Sequence, residues 1–378
     1  MKKIIALLMI FLLVGCAKEK EVKDYYIYVT DSNLSTVYTL LNLVKTDNNK
    51  SFIWCTDTDL INTDYLNTNK NIKISKNNGK FDKNLIKEIN EFIKDNNSNS
   101  KFHLMLDEKY YLLEFELNLK DNYDVTIFSN GIDSYNNYYD YEFENGYEIY
   151  KKHENEFNGF KDNFDLDNYD HNYLLISAKR DNTRYYLQYP EYITAYEDKV
   201  NDEIKKVNFV LDDPKTIYNS LTTEQRASLL KIINVDKKDY DNKYFTSTKP
   251  FLVIIGSNTS KYTKDEMKDM IKQVYDTYKD NYTILYKVSD YSLTEAEQEY
   301  LDELNIKVLP ENIPMEIITF IYSDLKIGGF PKSLLLSTKT EDVIFLFVKN
   351  NEELDIPLNK MINEEYKINY IQPITKTK

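Results

Sequence analysis

The sequence predicts an α/β protein made of two successive blocks of parallel sheet. Short hydrophobic runs rich in β-branched and aromatic residues recur along it, among them YYIYVT (25–30), SFIWC (51–55) and PFLVIIGS (250–257). Segments with apolar residues at helical spacing lie between them, and strands alternating with helices argue for a parallel sheet. The two alternating stretches are separated by residues 133–185, where Tyr, Asn and Asp dominate and aliphatics are few.

The chain opens with Lys2 and Lys3, an apolar run from Ile4 to Val14, and Leu13-Val14-Gly15-Cys16. This is the form of a bacterial lipoprotein signal, in which residues 1–15 are removed and Cys16 is lipidated. A plain cleaved secretory signal is the alternative, and it leaves Cys16 without a purpose. The run is shorter than the roughly 20 residues needed to span a bilayer, whereas acylation with more than one chain anchors stably at a membrane surface. Residues 16–24 are then a tether, and the expected location is the bacterial cell envelope, outside the cytoplasm.

The first block, 25–200, has expected strands at 25–30, 51–55, 70–75, 101–106 and 123–128 and helices at 33–45 and 81–95. In the second helix Leu85, Ile89 and Phe92 share one face. Residues 133–185 are expected as loops around a cleft or as an excursion with little core. Their tyrosines fit compositional bias better than a glycan-stacking platform, since the chain holds 34 of them. The second block, 201–348, has expected strands at 250–257, 281–287 and 306–309, helices near 263–280, 294–304 and 314–322, and two final strands. Residues 349–378 are expected as a C-terminal tail.

Composition excludes several functions. Without residues 1–15, which carry two lysines and no acid, 46 basic side chains face 62 acidic ones, a formal charge of −16. Such a body is repelled by nucleic acid and by anionic headgroups. Cys55 is the only cysteine besides Cys16, so no internal disulfide forms with a non-lipidated partner, and Cys55 reads as a buried core thiol. Three histidines at 103, 153 and 171 show no zinc spacing. DTD (57–59) and DLD (165–167) have the form of metal-binding DxD motifs, but in a chain so rich in Asp and Asn they read as loop residues.

The stretch 281–348 carries the most chemistry. Gly328 and Gly329 permit a tight turn and close backbone approach, Pro331 suits the first position of a helix, and Lys332 and Ser333 follow at its start. A strand, a glycine turn and a helix N-terminus form a cradle for a phosphate. An ordinary strand-to-helix connection fits the same residues.

The order YKVSD (286–290), LPENIPMEII (309–318), GGFPKSLLLS (328–337) and VIFLFV (343–348) resembles the C-terminal half of the bacterial sialyltransferases of glycosyltransferase family 80. YYIYVTDSNLSTVYTLLNLV (25–44), SFIW (51–54), IFSNGIDSY (127–135) and TIYNSLTTEQRASLLKIINVD (216–236) are similar to segments of its N-terminal half and of the helix pair between the halves. The resemblance implies two Rossmann-like domains facing a cleft, the GT-B-type glycosyltransferase arrangement. It also implies transfer of sialic acid from CMP-sialic acid, or a related nucleotide sugar, to a hydroxyl of a glycan acceptor, with inversion and with neither metal nor other cofactor.

Residue by residue, the resemblance puts Lys287 and Glu316 at the nucleotide and Ser333 at its phosphate, with Lys332 replacing a first serine and adding positive charge. Asn130 occupies the place of the general base. A carboxamide has no basic site near neutral pH, so the nearest carboxylate, Asp133, is the possible substitute; a loop acid or helix cap is its other reading. Ser289 stands in place of a phosphate-side histidine, and a further histidine aligns near Lys109. The sequence therefore leaves open an active transferase and a catalytically dead surface lipoprotein that keeps the fold for ligand or protein binding.

Overall fold

The computed structural model describes residues 22–46, 49–56, 60–77, 79–160, 173–193, 197–210, 214–257, 261–289, 292–362 and 367–374. Cys16 and the DTD and DLD motifs lie outside them.

Seven strands make the first sheet: β1 (Lys23–Thr30), β2 (Lys50–Cys55), β3 (Ile72–Ile74), β4 (Ser100–Asp107), β5 (Tyr123–Phe128), β6 (Thr183–Tyr186) and β7 (Phe209–Val210). Their order is β3-β2-β1-β4-β5-β6-β7, and every pairing is parallel. Central strands covered on both faces must be apolar on both, and Ile27, Tyr28 and Val29 of β1 are accordingly fully buried. The helix Asn33–Lys45 begins at Ser32, whose hydroxyl takes the Ser35 amide while the Ser35 hydroxyl takes the Ser32 amide. It is buried almost all round because the sheet lies on one side and the helices Pro214–Ser220 and Thr223–Ile232 on the other.

The second sheet holds β8 (Phe251–Ile255), β9 (Thr283–Lys287), β10 (Lys307–Leu309), β11 (Lys326–Gly329), β12 (Val343–Leu346) and β13 (Asn369–Tyr370). Its order is β10-β9-β8-β11-β12-β13, again wholly parallel. In each sheet the chain steps outward over three strands, then returns to the other side of the first. This is the doubly wound pattern, in which a crevice opens at the carboxyl ends where the direction reverses, between β1 and β4 and between β8 and β11. The two α/β Rossmann-like domains are thus present.

Three features depart from the expected organisation. β7 extends the first sheet beyond residue 200. Residues 349–378 are more than a tail: β13 pairs with β12, and Leu354, Leu358 and Ile362 are buried. The Tyr-rich middle holds a 3-10 segment (Gly131–Glu142), a fifteen-residue helix (Gly146–Phe160) and β6 rather than loops alone. Tyr150, His153 and Phe157 form the buried stripe of that helix. An ion network fastens it, with Lys179 bound to Glu154 at 3.2 Å and to Glu203 at 2.6 Å.

At the amino edge of the first sheet, His103 on β4 bridges Asp124 (2.9 Å) and Asp24 (3.1 Å) and stacks on Tyr26. Burial pushes its imidazole pKa down, but its hydrogen bonds to the two carboxylates outweigh this and hold it above its ordinary value.

Candidate functional site

The carboxyl edges of the two sheets meet at a cleft of about 870 Å³. On the first domain's side it is lined by Ser32, Asn33 and Leu34 at the start of the helix after β1, by Leu60, and by Asn130, Ile132 and Asp133 after β5. The second domain contributes Ile255 at the end of β8, Lys287, Val288 and Ser289 at the end of β9, and Ser292. It adds Glu311, Asn312, Pro314, Met315 and Glu316 before and in the helix Met315–Ile321, and Pro331 to Leu334 after β11; Asp355 closes the rim. Asn130, Asp133, Lys287, Ser289, Glu316, Lys332 and Ser333 therefore line one cavity. Lys109 does not: it pairs with Asp31, which also accepts from the Tyr110 hydroxyl at 2.8 Å.

Lys287 is only 5% exposed, and its ammonium donates to the carbonyls of Pro310 (2.8 Å) and Glu311 (3.0 Å). It thereby pins the turn that presents Asn312 to Glu316. Glu316 is also buried, in the first turn of its helix.

The glycine turn differs from its expected form. Gly329 has φ +126°, and a Cβ there would lie 2.2 Å from the Ile255 carbonyl oxygen, so β11 and β8 approach closely only because the side chain is missing. The chain then enters a five-residue 3-10 turn, Ser333–Ser337, with Lys332 as its cap and Pro331 outside it. Leu334, Leu335 and Leu336 are all buried; three successive side chains cannot lie on one face of an α-helix, and the tight turn sinks them in different directions. So short an element has little macrodipole, and an anion here depends on side chains and individual amides instead.

Ser333 reaches the opposite domain. Its Oγ accepts from the Ile132 amide at 3.1 Å, and a Cβ on Gly131 would stand 2.3 Å from that oxygen. Gly131 also has φ +81°, a conformation that L side chains rarely adopt. Accepting the amide leaves the Ser333 hydroxyl proton to donate to a ligand.

Beneath Asn130 the loop is anchored. The Asn130 amide donates to Ser134 Oγ (2.7 Å), Ser134 Oγ donates to Glu108 Oε1 (2.9 Å), and the Tyr185 hydroxyl donates to Glu108 Oε2 (2.9 Å). Burial pushes the Glu108 carboxyl up to about 8, Asp107 adds to the rise, and Ser134, Tyr185 and the Asn130 amide pull against it.

Around the cavity four carboxylates (Asp133, Glu311, Glu316, Asp355) face two ammonium groups (Lys287, Lys332). An anionic ligand here would have to be held by placed donors, such as the amides at the start of the thirteen-residue helix Asn33–Lys45, rather than by net positive charge. Among the described residues no group of three or more His, Cys, Asp or Glu is disposed to hold a metal, and no helix is long and apolar enough to cross a membrane.

No family model matches the sequence, and no curated protein matches it. Solved structures do. The α/β-galactoside α-2,3-sialyltransferase of Photobacterium phosphoreum superposes with a TM-score of 0.70 at 15% identity, covering 93% of this chain and 99% of that one. The 2,6-sialyltransferase of Photobacterium sp. JT-ISH-224, solved with CMP and lactose, gives 0.71 at 16% identity, covering 92% of this chain and 78% of that one. The GT-B domain of the Photobacterium damselae sialyltransferase gives 0.67 at 14% identity, covering 92% of this chain and 99% of that one. The chain has the GT-B fold.

In this GT-B frame the cavity also holds residues that sequence reasoning missed. Ser32 carried a readable sign, a serine two residues past a hydrophobic strand and three residues before another serine. Glu311 and Asn312 sat in plain view beside the motif that placed Glu316. Asp355 on the rim, and Glu108 and Ser134 buried beneath the cavity wall rather than lining it, carried none, because the first depends on the return of the C-terminal segment and the others on hydrogen bonds between distant strands.

Proposed function

We propose that the chain is a lipid-anchored glycosyltransferase-like protein of the bacterial sialyltransferase family 80. In this reading a CMP-type nucleotide sugar binds along the second-domain wall and a glycan acceptor lies beside Asn130. One observation carries it: five residues from four separate stretches of the sequence, Asn130, Lys287, Glu316 and the pair Lys332–Ser333, line a single cleft at the carboxyl edges of both sheets. The Ser333 hydroxyl and the Lys332 ammonium would take the phosphate. Glu316 would take the ribose or base, and Lys287 would hold the turn beneath it. Asp133 is the carboxylate on the acceptor side that could accept a proton. The lipid on Cys16 would keep the protein at the membrane surface.

A second reading, binding without turnover, is favoured by Asn130, which places a carboxamide where a base is needed. Titration calorimetry with CMP and CMP-sialic acid, paired with a transfer assay onto lactose, separates the two. Binding with transfer supports the transferase, binding alone supports the second reading, and absence of both ends the nucleotide proposal. Metabolic labelling with radioactive palmitate tests the anchor, and Cys16→Ser should abolish incorporation.

A further inference from the structure

We propose that Glu108 is the positioning residue for the Asn130–Asp133 wall of the cleft, acting through Ser134 and against Tyr185. Its meaning for acceptor handling rests on the function proposed above; the anchoring itself does not.

Glu108 directly follows β4, is 5% exposed, and, among the described residues, has no Lys or Arg in the set of groups that act on its carboxyl. Burying a carboxyl without a cation is unfavourable compared with an apolar residue of similar size, so its presence calls for a geometric reason. Its two oxygens provide one, since each takes a different hydroxyl: Ser134 from the loop and Tyr185 from β6. Ser134 is completely buried, and its oxygen in turn fixes the Asn130 amide. The peptide bearing Asn130 is therefore tied to two strands of the first sheet through one carboxyl group. Two residues on, the Ile132 amide meets Ser333 of the other domain. A glutamine in this position offers one acceptor oxygen and a donating NH2, so it cannot accept from both hydroxyls through separate oxygens, and one of them must reverse its role or turn away.

The groups facing Glu108 are Asp107 from its own strand end, Ser134 and Tyr138 from the 3-10 segment, Tyr185 from β6 and the Asn130 amide. As a carboxylate it accepts from both hydroxyls. As a neutral acid it keeps its own proton, so one of the two must turn away, and the Tyr138 oxygen beside Tyr185 is where that proton can go. The tightness of the loop should then follow the ionisation of Glu108, with a midpoint near 8.

Amide hydrogen exchange across residues 129–134 tests this in the full chain without nucleotide, so a failure of CMP to bind leaves it standing. In the wild type, protection of the Asn130 and Ile132 amides, corrected for intrinsic exchange, should change between pH 6.5 and pH 9.5. In Glu108→Gln those amides should exchange about tenfold faster at pH 9.5, the equivalent of one lost hydrogen bond, and the pH dependence should vanish. Unchanged exchange in Glu108→Gln, or a pH profile that survives the substitution, overturns the proposal. Should Glu108→Gln not fold, Tyr185→Phe, which deletes the hydroxyl on the other oxygen of Glu108 and leaves the Asn130–Ser134 bond in place, decides it by the same comparison.

Discussion

Asn130, exposed on the cleft wall and fixed through its own amide, is the residue on which the proposed transfer would turn. Asn130→Asp is nearly isosteric and keeps the Ser134 contact, which goes through the backbone. A positioned general base is worth about 10²- to 10⁴-fold, so the variant should gain transfer from CMP-sialic acid to lactose by that order, read in an initial-rate assay. If Asp133 is the working base instead, Asp133→Ala should abolish transfer while Asn130→Asp adds nothing. Lys332→Ala should weaken CMP by about 1 to 3 kcal/mol, the range for a hydrogen bond to a charged group, in a calorimetric titration. Gly131→Ala should destabilise the fold by about 1 to 2 kcal/mol, the cost of a side chain in the left-handed region, and more if Ser333 must shift; denaturant unfolding measures it. At this scale the sequence made legible those site residues that close a strand, because hydrophobic runs locate strand ends and strand ends locate the crevice. It hid Glu108 and Ser134, whose roles arise only when β4, β6 and the loop after β5 come together.

The helix Gly146–Phe160 shows why one element stayed hidden. Its buried stripe is Tyr150, His153 and Phe157, spaced for a helix but built from aromatic and polar rings in a region crowded with Tyr, Asn and Asp. The aliphatic periodicity that revealed the helix Lys83–Asp95 is missing. Lys179 fastens this helix by neutralising Glu154 and Glu203, and Glu203, raised by its burial and lowered more strongly by Lys179 and Lys206, titrates near 2. Lys179→Met should leave two mostly buried carboxylates without their shared cation. A loss of about 1 to 3 kcal/mol is expected, read by thermal unfolding at pH 7 and smaller at pH 4, where Glu203 begins to protonate in the unfolded chain. The expected phosphate cradle fell short for a related reason: Pro331, Lys332 and Ser333 suit a helix start, but the three leucines after them are drawn into the core in succession.

For the molecule as a whole, two groups set the alkaline side of the stability profile. Glu108 has a folded pKa near 8 against an ordinary 4.5, so stability falls as pH rises from about 4.5 through 8. The raised pKa of His103 acts in the same direction: its contribution is full below 6.5 and is lost as pH climbs through the folded value. Asp124, whose burial is outweighed by His103 and Lys101 so that its pKa is depressed, weakens the fold instead as pH falls below 3.8. Melting temperatures should therefore decline between pH 6 and pH 9, and Glu108→Gln should flatten that decline. Whole-molecule architecture was legible because strand and helix signals alternate in two runs. The exact division between the domains was not: β7 and β13 are two-residue strands, too short for any periodicity to register.

If Cys16 carries the proposed lipid, the direction of β1 would decide how far the protein can reach. All strands of the first sheet run the same way, so their amino ends form one edge and their carboxyl ends the other. Eight residues of β1, rising roughly 3.3 Å each, separate Lys23 from the mouth of the cavity. A lipid seven residues upstream of Lys23 would moor the protein by its floor, and the opening would look away from the bilayer. So moored, it would work on sugars a few nanometres out, on the chains of neighbouring molecules rather than on headgroups underfoot.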